Sequence, residues 1–279
     1  MRHLYLLVPL FLFLICTSCE QNEQVVDTSS DLFKDNVKGN VLKTKVKRFY
    51  AKDVFGEISY SNSDLNTVEV VTYNDDGYIL TMCTYNKEGE ENEKYIYVYD
   101  EDNLILEEKS YKKGKLLSTT KNVIKDKKIV QDESVYTDGQ EKKNTKFDFE
   151  KESVKPSNAN SIQGEKTTII TYEYFDEYGS QRRTSISGGD TAILETRYNN
   201  NFRPVYLSFK MSLKEIAYTD ENTSVFEYDT SGDLITIKNT NYVQKYEYKE
   251  YDDKKNWTKR YIYQDDKIKS VEEREITYK

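Results

Sequence analysis

The chain alternates between short runs of apolar and polar residues and brief polar interruptions, and this pattern predicts β-strands joined by tight turns. The clearest β-forming runs are TVEVVTY at 67–73, KYIYVYD at 94–100, TTIITYEYF at 167–175 and KRYIY at 259–263. Successive side chains of a strand point to opposite faces, so Tyr172-Glu173-Tyr174 directs its rings one way and its carboxylate the other. Outside the N-terminal leader, no stretch has a convincing helical period.

An aromatic residue ends most of these runs, and a glycine or asparagine follows it within a few polar positions. The instances are YNDDGYI from Tyr73, YNKEGEE from Tyr85, YDEDNLI from Tyr99, YKKGKLL from Tyr111, YTDGQEK from Tyr136, FDEYGSQ from Phe175, YNNNFRP from Tyr198, YDTSGDL from Tyr228 and YDDKKNW from Tyr251. Tight hairpins need a residue with positive φ, which glycine adopts freely and asparagine tolerates. The spacing equals one strand plus one turn per step, as in an antiparallel meander.

The predicted fold class is therefore all-β: an elongated, twisted sheet of antiparallel β-hairpin repeats, with a partial barrel as its curled form. The repeats occupy two blocks, 41–150 and 167–279, and the second block ends in a C-terminal cap that includes Trp257. The segment 151–166 holds Pro156 and a Ser/Asn cluster, so we expect a loop between the blocks. An open sheet of this kind has two edge strands, where lysines and glutamates discourage aggregation.

The N terminus has a different composition from the rest of the chain. The apolar run at 4–15 is too short to span a bilayer and has the length of a signal-peptide core. Two small residues precede Cys19, and cleavage before a cysteine is typical of bacterial lipoproteins. We predict a signal peptide at 1–18, a lipid such as palmitate on Cys19 and a flexible tether at 19–40. An ordinary secretory signal and an uncut anchor are the alternatives.

Two of the turn motifs, YNDDGYI at 73–79 and YDTSGDL at 228–234, resemble the YD repeats of the RHS family. The ending from Tyr251 is similar to the closing repeat of uncharacterised YD-repeat lipoproteins of gut-type bacteria, and YKKGKL is similar to MORN-like antitoxin repeats. In RHS proteins such repeats build a large β-shell around a toxin. This chain is too short for a shell and lacks the Gly-Arg-Leu form common in that family, so the resemblance implies a curved, open sheet.

Charge and composition exclude several kinds of function. The formal net charge is −8, with both signs interspersed, which disfavours nucleic acid as a partner. The single histidine, His3, lies in the leader, so the mature chain lacks the commonest general base and metal ligand. Cys83 lies in an apolar run and is expected to pack as a small core residue. We predict no enzymatic activity, no cofactor and no metal.

Acidic residues at the turns are the candidates for other chemistry. A two-carboxylate glycan hydrolase would draw on Asp75, Asp76, Asp100, Asp102, Asp229 and Asp252. Aspartates at turns usually bind the turn backbone, which is the preferred interpretation. Asp100 and Asp102 suggest a weak cation site, but Leu104 breaks the EF-hand spacing. The glycines at 188–189 favour a hairpin turn over a phosphate loop.

Rows of aromatic residues are the candidate binding surface: Tyr95, Tyr97, Tyr99, Tyr246, Tyr248 and Trp257. Such rows stack on sugars or receive protein partners when exposed, and form the core when buried; both remain open. The predicted function is a non-enzymatic lipoprotein of the bacterial cell envelope, periplasmic or surface-exposed. It would be held to the membrane through the lipid on Cys19 and act as a binding or scaffold module for a protein or glycan. The alternatives are a glycan hydrolase and an immunity or antitoxin partner.

Overall fold

The computed structural model describes residues 30–137, 142–150, 153, 155–176, 180–213 and 218–279, and β-strands make up most of them. A short helix, α1 (Asp31–Lys34), precedes the strands, and a 3-10 turn spans Asn62–Asp64. The strands are β1 (Val41–Tyr50), β2 (Lys52–Val54), β3 (Glu57–Ser59), β4 (Leu65–Tyr73), β5 (Ile79–Asn86), β6 (Glu91–Tyr99), β7 (Ile105–Lys112), β8 (Lys115–Lys125), β9 (Lys128–Tyr136), β10 (Lys142–Phe149), β11 (Pro156–Gln163), β12 (Lys166–Tyr174), β13 (Gln181–Ser187), β14 (Asp190–Tyr198), β15 (Pro204–Leu213), β16 (Tyr218–Tyr228), β17 (Leu234–Asn239), β18 (Val243–Tyr251), β19 (Trp257–Gln264) and β20 (Lys267–Tyr278).

Eighteen of these strands form one closed antiparallel barrel. From β4 to β20 each strand pairs with the next one in the chain. β1 then lies between β4 and β20, with Lys45 opposite Val70 on one side and Glu275 on the other. The all-β antiparallel prediction is confirmed. The expected open sheet with two edge strands is wrong, because β1 supplies hydrogen-bond partners to both would-be edges.

Six of the nine predicted turns after the aromatic residues share one geometry. In YDTSGDL, Asp229 Oδ1 accepts hydrogen bonds from the backbone N–H groups of Ser231 and Asp233, both at 2.9 Å. Gly232 has a φ of +89°, as a reversal of this kind requires. The residues that cap their turns in this way are Asn74, Asn86, Asp100, Asn199, Asp229 and Asp252. The predicted turns from Tyr136 and Phe175 extend outside the described residues.

Residues 30–40 cross one end of the barrel, and we call this segment the plug. Leu32 and Val37 are buried against Val41, Val71 and Tyr73 of the barrel wall. The Leu32 N–H also donates to the Gly77 carbonyl at 3.1 Å. The expected tether at 19–40 is therefore wrong for residues 30–40, because their apolar side chains pack into the barrel. The predicted signal at 1–18, Cys19 and the first part of the tether lie outside the described residues.

Two other segments differ from the sequence-based prediction. Half of the expected loop at 151–166 is β11, which pairs with β10 and β12 and joins the two repeat blocks in one barrel. Its Ser- and Asn-rich sequence has weak β-propensity, but the two neighbouring strands supply the backbone hydrogen bonds. The C-terminal segment does not cap a sheet edge as expected, because β20 pairs with β1 and the described sheet has no edge there.

Candidate functional site

The inner face of the barrel is identified by side chains of distant strands that line the same cavity. Glu69 of β4, Phe226 of β16 and Glu272 of β20 line one cavity of about 370 Å³ together with plug residues. β4 and β16 are six steps apart around the barrel, so their side chains meet only on the concave face. An 18-stranded barrel is also too wide for side chains to fill, and leaves an aqueous interior. We call this interior the lumen.

The outer face of the same strands carries ion pairs around the barrel. They include Lys45 and Lys47 with Glu275, Lys142 with Glu133, Arg182 and Arg197 with Glu195, Lys210 with Glu221, Lys238 with Glu227 and Lys249 with Glu247. A barrel embedded in a bilayer presents an apolar band instead, and one Lys or Arg at its midplane costs about 2–4 kcal/mol. The outer face thus carries these charged pairs together with exposed apolar side chains such as Val98, Ile162 and Ile169. In the described ranges no helix is long and apolar enough to cross a membrane.

The tyrosine rows face the lumen. Val71 lines the cavity, its register partner on β5 is Met82, and the partner of Met82 on β6 is Tyr95. Because cross-strand partners share a face, Tyr95 points inward, and the period of two brings Tyr97 and Tyr99 to the same face. Tyr246 and Tyr248 face inward on β18 by the same periodicity, since Tyr248 lines the cavity.

Several inward tyrosines also brace the motif turns. The hydroxyls of Tyr99, Tyr228 and Tyr248 donate to the carbonyls of Ile79, Pro204 and Leu234, each at 2.8 Å. Each of these carbonyls follows a motif turn directly. Burial raises the pKa of Tyr97 and of Tyr228 to about 12, so these hydroxyls remain protonated. The hydroxyls of these rows therefore support the fold, while the half-buried rings remain at the lumen, and binding by these rings stays a prediction.

Trp257 lies in a cluster of arginines and does not cap a sheet end. Its ring is buried, with the Arg260 and Arg274 guanidinium carbons 4.2 and 3.9 Å from its centroid. Glu272, which is almost completely buried, accepts hydrogen bonds from Nε of Arg48 and Nε of Arg260, each at 2.7 Å. Burial alone would favour the neutral acid, but Arg260 and Arg48 hold the pKa of Glu272 below its usual range.

Two further arginines at the cavity are buried without a carboxylate partner in the described part of the chain. Arg274 is 8% exposed; its Nε donates to the Trp257 carbonyl at 2.8 Å, and its Nη2 has no hydrogen-bond partner. Arg203 is 6% exposed and joins the plug to a motif turn, donating to Asn36 Oδ1 at 2.8 Å and to the Gly232 carbonyl at 3.0 Å. Burial lowers the pKa of Arg274 to about 10.

Two carboxylates at the same cavity were not recognised from the sequence. Asp35 belongs to the plug; it is accessible to lumen water but surrounded by protein, and this burial raises its pKa to about 6. Burial also raises the pKa of Glu69. The apolar Leu32, Phe33 and Val37 within a mostly polar segment were the available signal for the plug. The alternation of TVEVVTY placed Glu69 on the face of Val71, without showing that this face is inside.

The residues proposed for other chemistry occupy structural positions. Asp100, Asp229 and Asp252 cap motif turns, as expected for turn aspartates. The glycines at 188–189 have φ angles of +61° and +96° and connect β13 to β14 as a hairpin turn. Cys83 is a buried free thiol, which confirms its prediction as a core residue. Among the described residues, no group of three His, Cys, Asp or Glu side chains is arranged to hold a metal ion.

A second recess, of about 740 Å³, lies at the plugged end of the barrel. The plug itself and the turn at 75–77 form most of its surface. The lumen cavity is smaller, but it combines aromatic side chains with buried charges and is therefore the candidate site.

No family model and no curated protein matches this chain. Among solved structures, a porin-like protein from Bacteroides uniformis is 9% identical with a TM-score of 0.42, covering 85% of this chain and 98% of its own. A porin-like protein from Bacteroides vulgatus is 11% identical with a TM-score of 0.41, covering 87% and 99%. The closed barrel described above follows from the strand pairing of this chain itself.

Proposed function

We propose that this chain is a non-enzymatic, lipid-anchored barrel of the bacterial cell envelope that binds a glycan in its lumen. The observation that carries the proposal is the position of the candidate binding residues. Tyr248 and Trp257 line a cavity of about 370 Å³, within the usual range of small-ligand pockets, and Tyr95, Tyr97 and Tyr99 face the same lumen.

The inward direction of these residues favours a glycan over a folded protein as the ligand. A folded partner has no access to rings that line the inside of a closed barrel, whereas an oligosaccharide enters a lumen of this width. Tyrosine faces stack on sugar rings, and carboxylates such as Asp35 and Glu69 accept hydrogen bonds from sugar hydroxyls.

The location in the envelope is supported by the sequence and by the outer wall. The apolar leader and Cys19 supply the predicted anchor, which attaches a protein without spanning the bilayer. The ion pairs on the outer wall suit a barrel that stands in water next to the membrane. Mass spectrometry of the purified protein tests the anchor: a diacylglycerol adduct on Cys19, lost in Cys19→Ala, is expected. Unmodified Cys19 would contradict it.

Binding is tested with the full mature chain on a glycan array, followed by calorimetry on the best ligand. We expect Tyr97→Ala, which removes an inward ring, to weaken binding about tenfold, the equivalent of about 1.4 kcal/mol. Tyr261→Ala is the matched control, because Tyr261 pairs with the outward Glu247 and lies on the outer wall. An array without specific binding, or equal effects of both variants, would contradict the proposal.

A glycan hydrolase is the second candidate, and it is favoured by the pKa values at the cavity. Asp35 and Glu69 face the same lumen, and burial raises both pKa values toward those of a catalytic acid. The test incubates the protein with its bound oligosaccharide and analyses the products by mass spectrometry. Cleavage that disappears in Asp35→Asn, with binding retained, would establish hydrolysis. Recovery of the intact oligosaccharide would exclude hydrolysis and leave binding as the proposed function.

A further inference from the structure

We infer that the glycan of the proposed function carries an acidic group, which the lumen binds through Arg274 beside Trp257. This inference rests on the proposed function and specifies the ligand class of the same cavity. Its basis is a buried guanidinium with an unpartnered nitrogen and no directly bonded carboxylate, in a cavity that also has aromatic walls.

No carboxylate of the described residues forms an ion pair with Arg274; Asp35 and Asp233 interact with its charge only at longer range, and its guanidinium stacks on Trp257. Arginine does not lose its proton in proteins, so burial cannot neutralise it as it neutralises a carboxylate. A buried charge is normally paired, because the desolvation of a lone ion is costly. Arg274 is 8% exposed, yet its bonded partner is the Trp257 carbonyl, and its Nη2 has no partner. An anion in the cavity would supply the missing partner.

The other charges of the cavity do not fulfil this role. Among the described residues that line it, five are basic and four are acidic. Glu272 is shared by Arg48 and Arg260, and Asp233 accepts from Asn36 and Tyr251.

The two remaining carboxylates, Asp35 and Glu69, do not pair with Arg274. Neither forms an ion pair with a described basic group. Burial raises the pKa of each, and the more distant charges of Arg274 for Asp35, and of Arg48 and Arg260 for Glu69, offset this rise only in part. Arg274 is therefore left without a directly bonded carboxylate.

The surroundings of Arg274 indicate what kind of ligand carries the anionic group. A guanidinium binds a carboxylate or phosphate through two parallel hydrogen bonds. The wall beside it is aromatic, with Tyr73, Phe226, Tyr228 and Tyr248 lining the same cavity. An acidic group attached to a sugar ring satisfies both features at once, since the ring packs on the tyrosines while the acid reaches Arg274.

Trp257 provides a direct readout, because it is the single tryptophan of the chain and contacts the Arg274 guanidinium. The full mature chain is titrated with glucuronate, glucose 6-phosphate, glucose and acetate while the fluorescence of Trp257 is recorded. We expect glucuronate or glucose 6-phosphate to bind at least tenfold more tightly than glucose, and the stronger of the two identifies the acid. Glucose binding as tightly as both acidic sugars, or acetate as tightly as glucuronate, would overturn the inference.

Substitution of Arg274 separates a binding role from a structural one. Arg274→Gln should weaken binding of the acidic sugar at least tenfold without lowering the melting temperature, because it removes an unpaired buried charge. A purely structural arginine would show the reverse: a lower melting temperature and unchanged affinity. Arg274→Lys keeps the charge but not the two-fold hydrogen bonding, so it should bind with intermediate affinity. Arg182→Gln, on the outer wall, is the control and should leave affinity unchanged.

The two proposals fail in distinguishable ways. If neutral glycans bind on the array and Arg274→Gln does not change their affinity or that of the acidic sugars, the acidic ligand is excluded and lumen binding stands. If no sugar binds on the array and none alters the fluorescence, the proposed function falls together with this inference.

Discussion

Glu272 and Glu275 lie three residues apart on β20, and each pairs with two basic side chains. Glu272 is on the inner face of the barrel wall, and Glu275 is on its outer face. Glu275 faces the outside, where Lys45 and Lys47 approach a carboxylate that is 60% exposed. Glu272 faces the lumen, where Arg48 and Arg260 enclose a side chain that is 1% exposed. An ion pair therefore affects the free energy of unfolding differently on the two faces of the wall, because water screens the charge of Glu275 and is excluded from that of Glu272.

The largest expected effect is the difference in stability loss between substitutions of these two glutamates. Glu272→Gln removes the buried carboxylate that Arg48, half exposed, and Arg260, 18% exposed, share, and loss of one partner of a buried pair costs about 3–5 kcal/mol. Glu275→Gln removes an exposed pair, which is worth about 0–1 kcal/mol. Urea unfolding of both variants checks the difference. Equal losses would mean that the two walls do not differ in solvent access.

A second prediction compares the plugged end of the barrel with the opposite end. A Cβ added at Gly232 would lie 1.9 Å from Arg203 Nη1, whereas one at Gly114 meets nothing within 4 Å. Both glycines have positive φ, so alanine costs about 1–2 kcal/mol of backbone strain at each. Gly232→Ala should additionally displace Arg203 from the plug and cost at least about 1 kcal/mol more.

Hydrogen exchange checks this comparison at the backbone. Residues 32–37 should exchange faster in Gly232→Ala and remain unchanged in Gly114→Ala, because Arg203 binds Asn36 of the plug. Unchanged protection of the plug in both variants would show that Arg203 does not hold it.

The smallest expected effect is on the pH dependence of stability, which should have opposite signs for Asp35 in the plug and Glu275 on the outer wall. Burial raises the pKa of Asp35 from 3.8 to about 6, so its ionisation destabilises the folded protein as the pH rises through this interval. Asp35→Asn should melt at a higher temperature than the wild type at neutral pH, and at the same temperature below about pH 4. A wild-type plug that is most stable at neutral pH would contradict this assignment.

Glu275 provides the contrast on the outer wall. Its hydrogen bond to Lys47 lowers its pKa below 4.5, so its contribution is present at neutral pH and is lost as the pH falls through the folded-state pKa. Glu275→Gln should therefore reduce the melting temperature slightly at neutral pH and not in acid. Thermal melts of both variants across the pH range measure the two signs in one experiment.

The sequence predicted the local structure well, because local chemistry determines it. Where an asparagine or aspartate directly follows the aromatic residue, as at Asn74 and Asp229, it caps the turn, and the alternating runs are strands. Closure was not predictable, since β1 meets β20 through residues more than two hundred positions apart, and no local pattern records that contact.

The candidate site was predicted only in part for the same reason. Alternation showed that Tyr95, Tyr97 and Tyr99 share a face, but the side of the barrel follows from curvature. The arginine cluster around Trp257 combines residues from β1, β19 and β20, whose proximity depends on closure. Asp35 was assigned to a tether because the few apolar residues near it, such as Leu32 and Val37, gave too short a signal for a packed segment.

The central claim is that the first and last strands close the barrel in a register that sends alternate side chains to the lumen and to water. Disulfide trapping tests it most directly, in a Cys83→Ser background with Lys45→Cys combined with either Glu275→Cys or Ile276→Cys. Lys45 and Glu275 are register partners on the outer wall, whereas Ile276 is opposite Thr44 on the inner wall. Closure predicts an efficient disulfide for the first pair and none for the second. Failure of both pairs to cross-link, or equal cross-linking of both, would contradict the account.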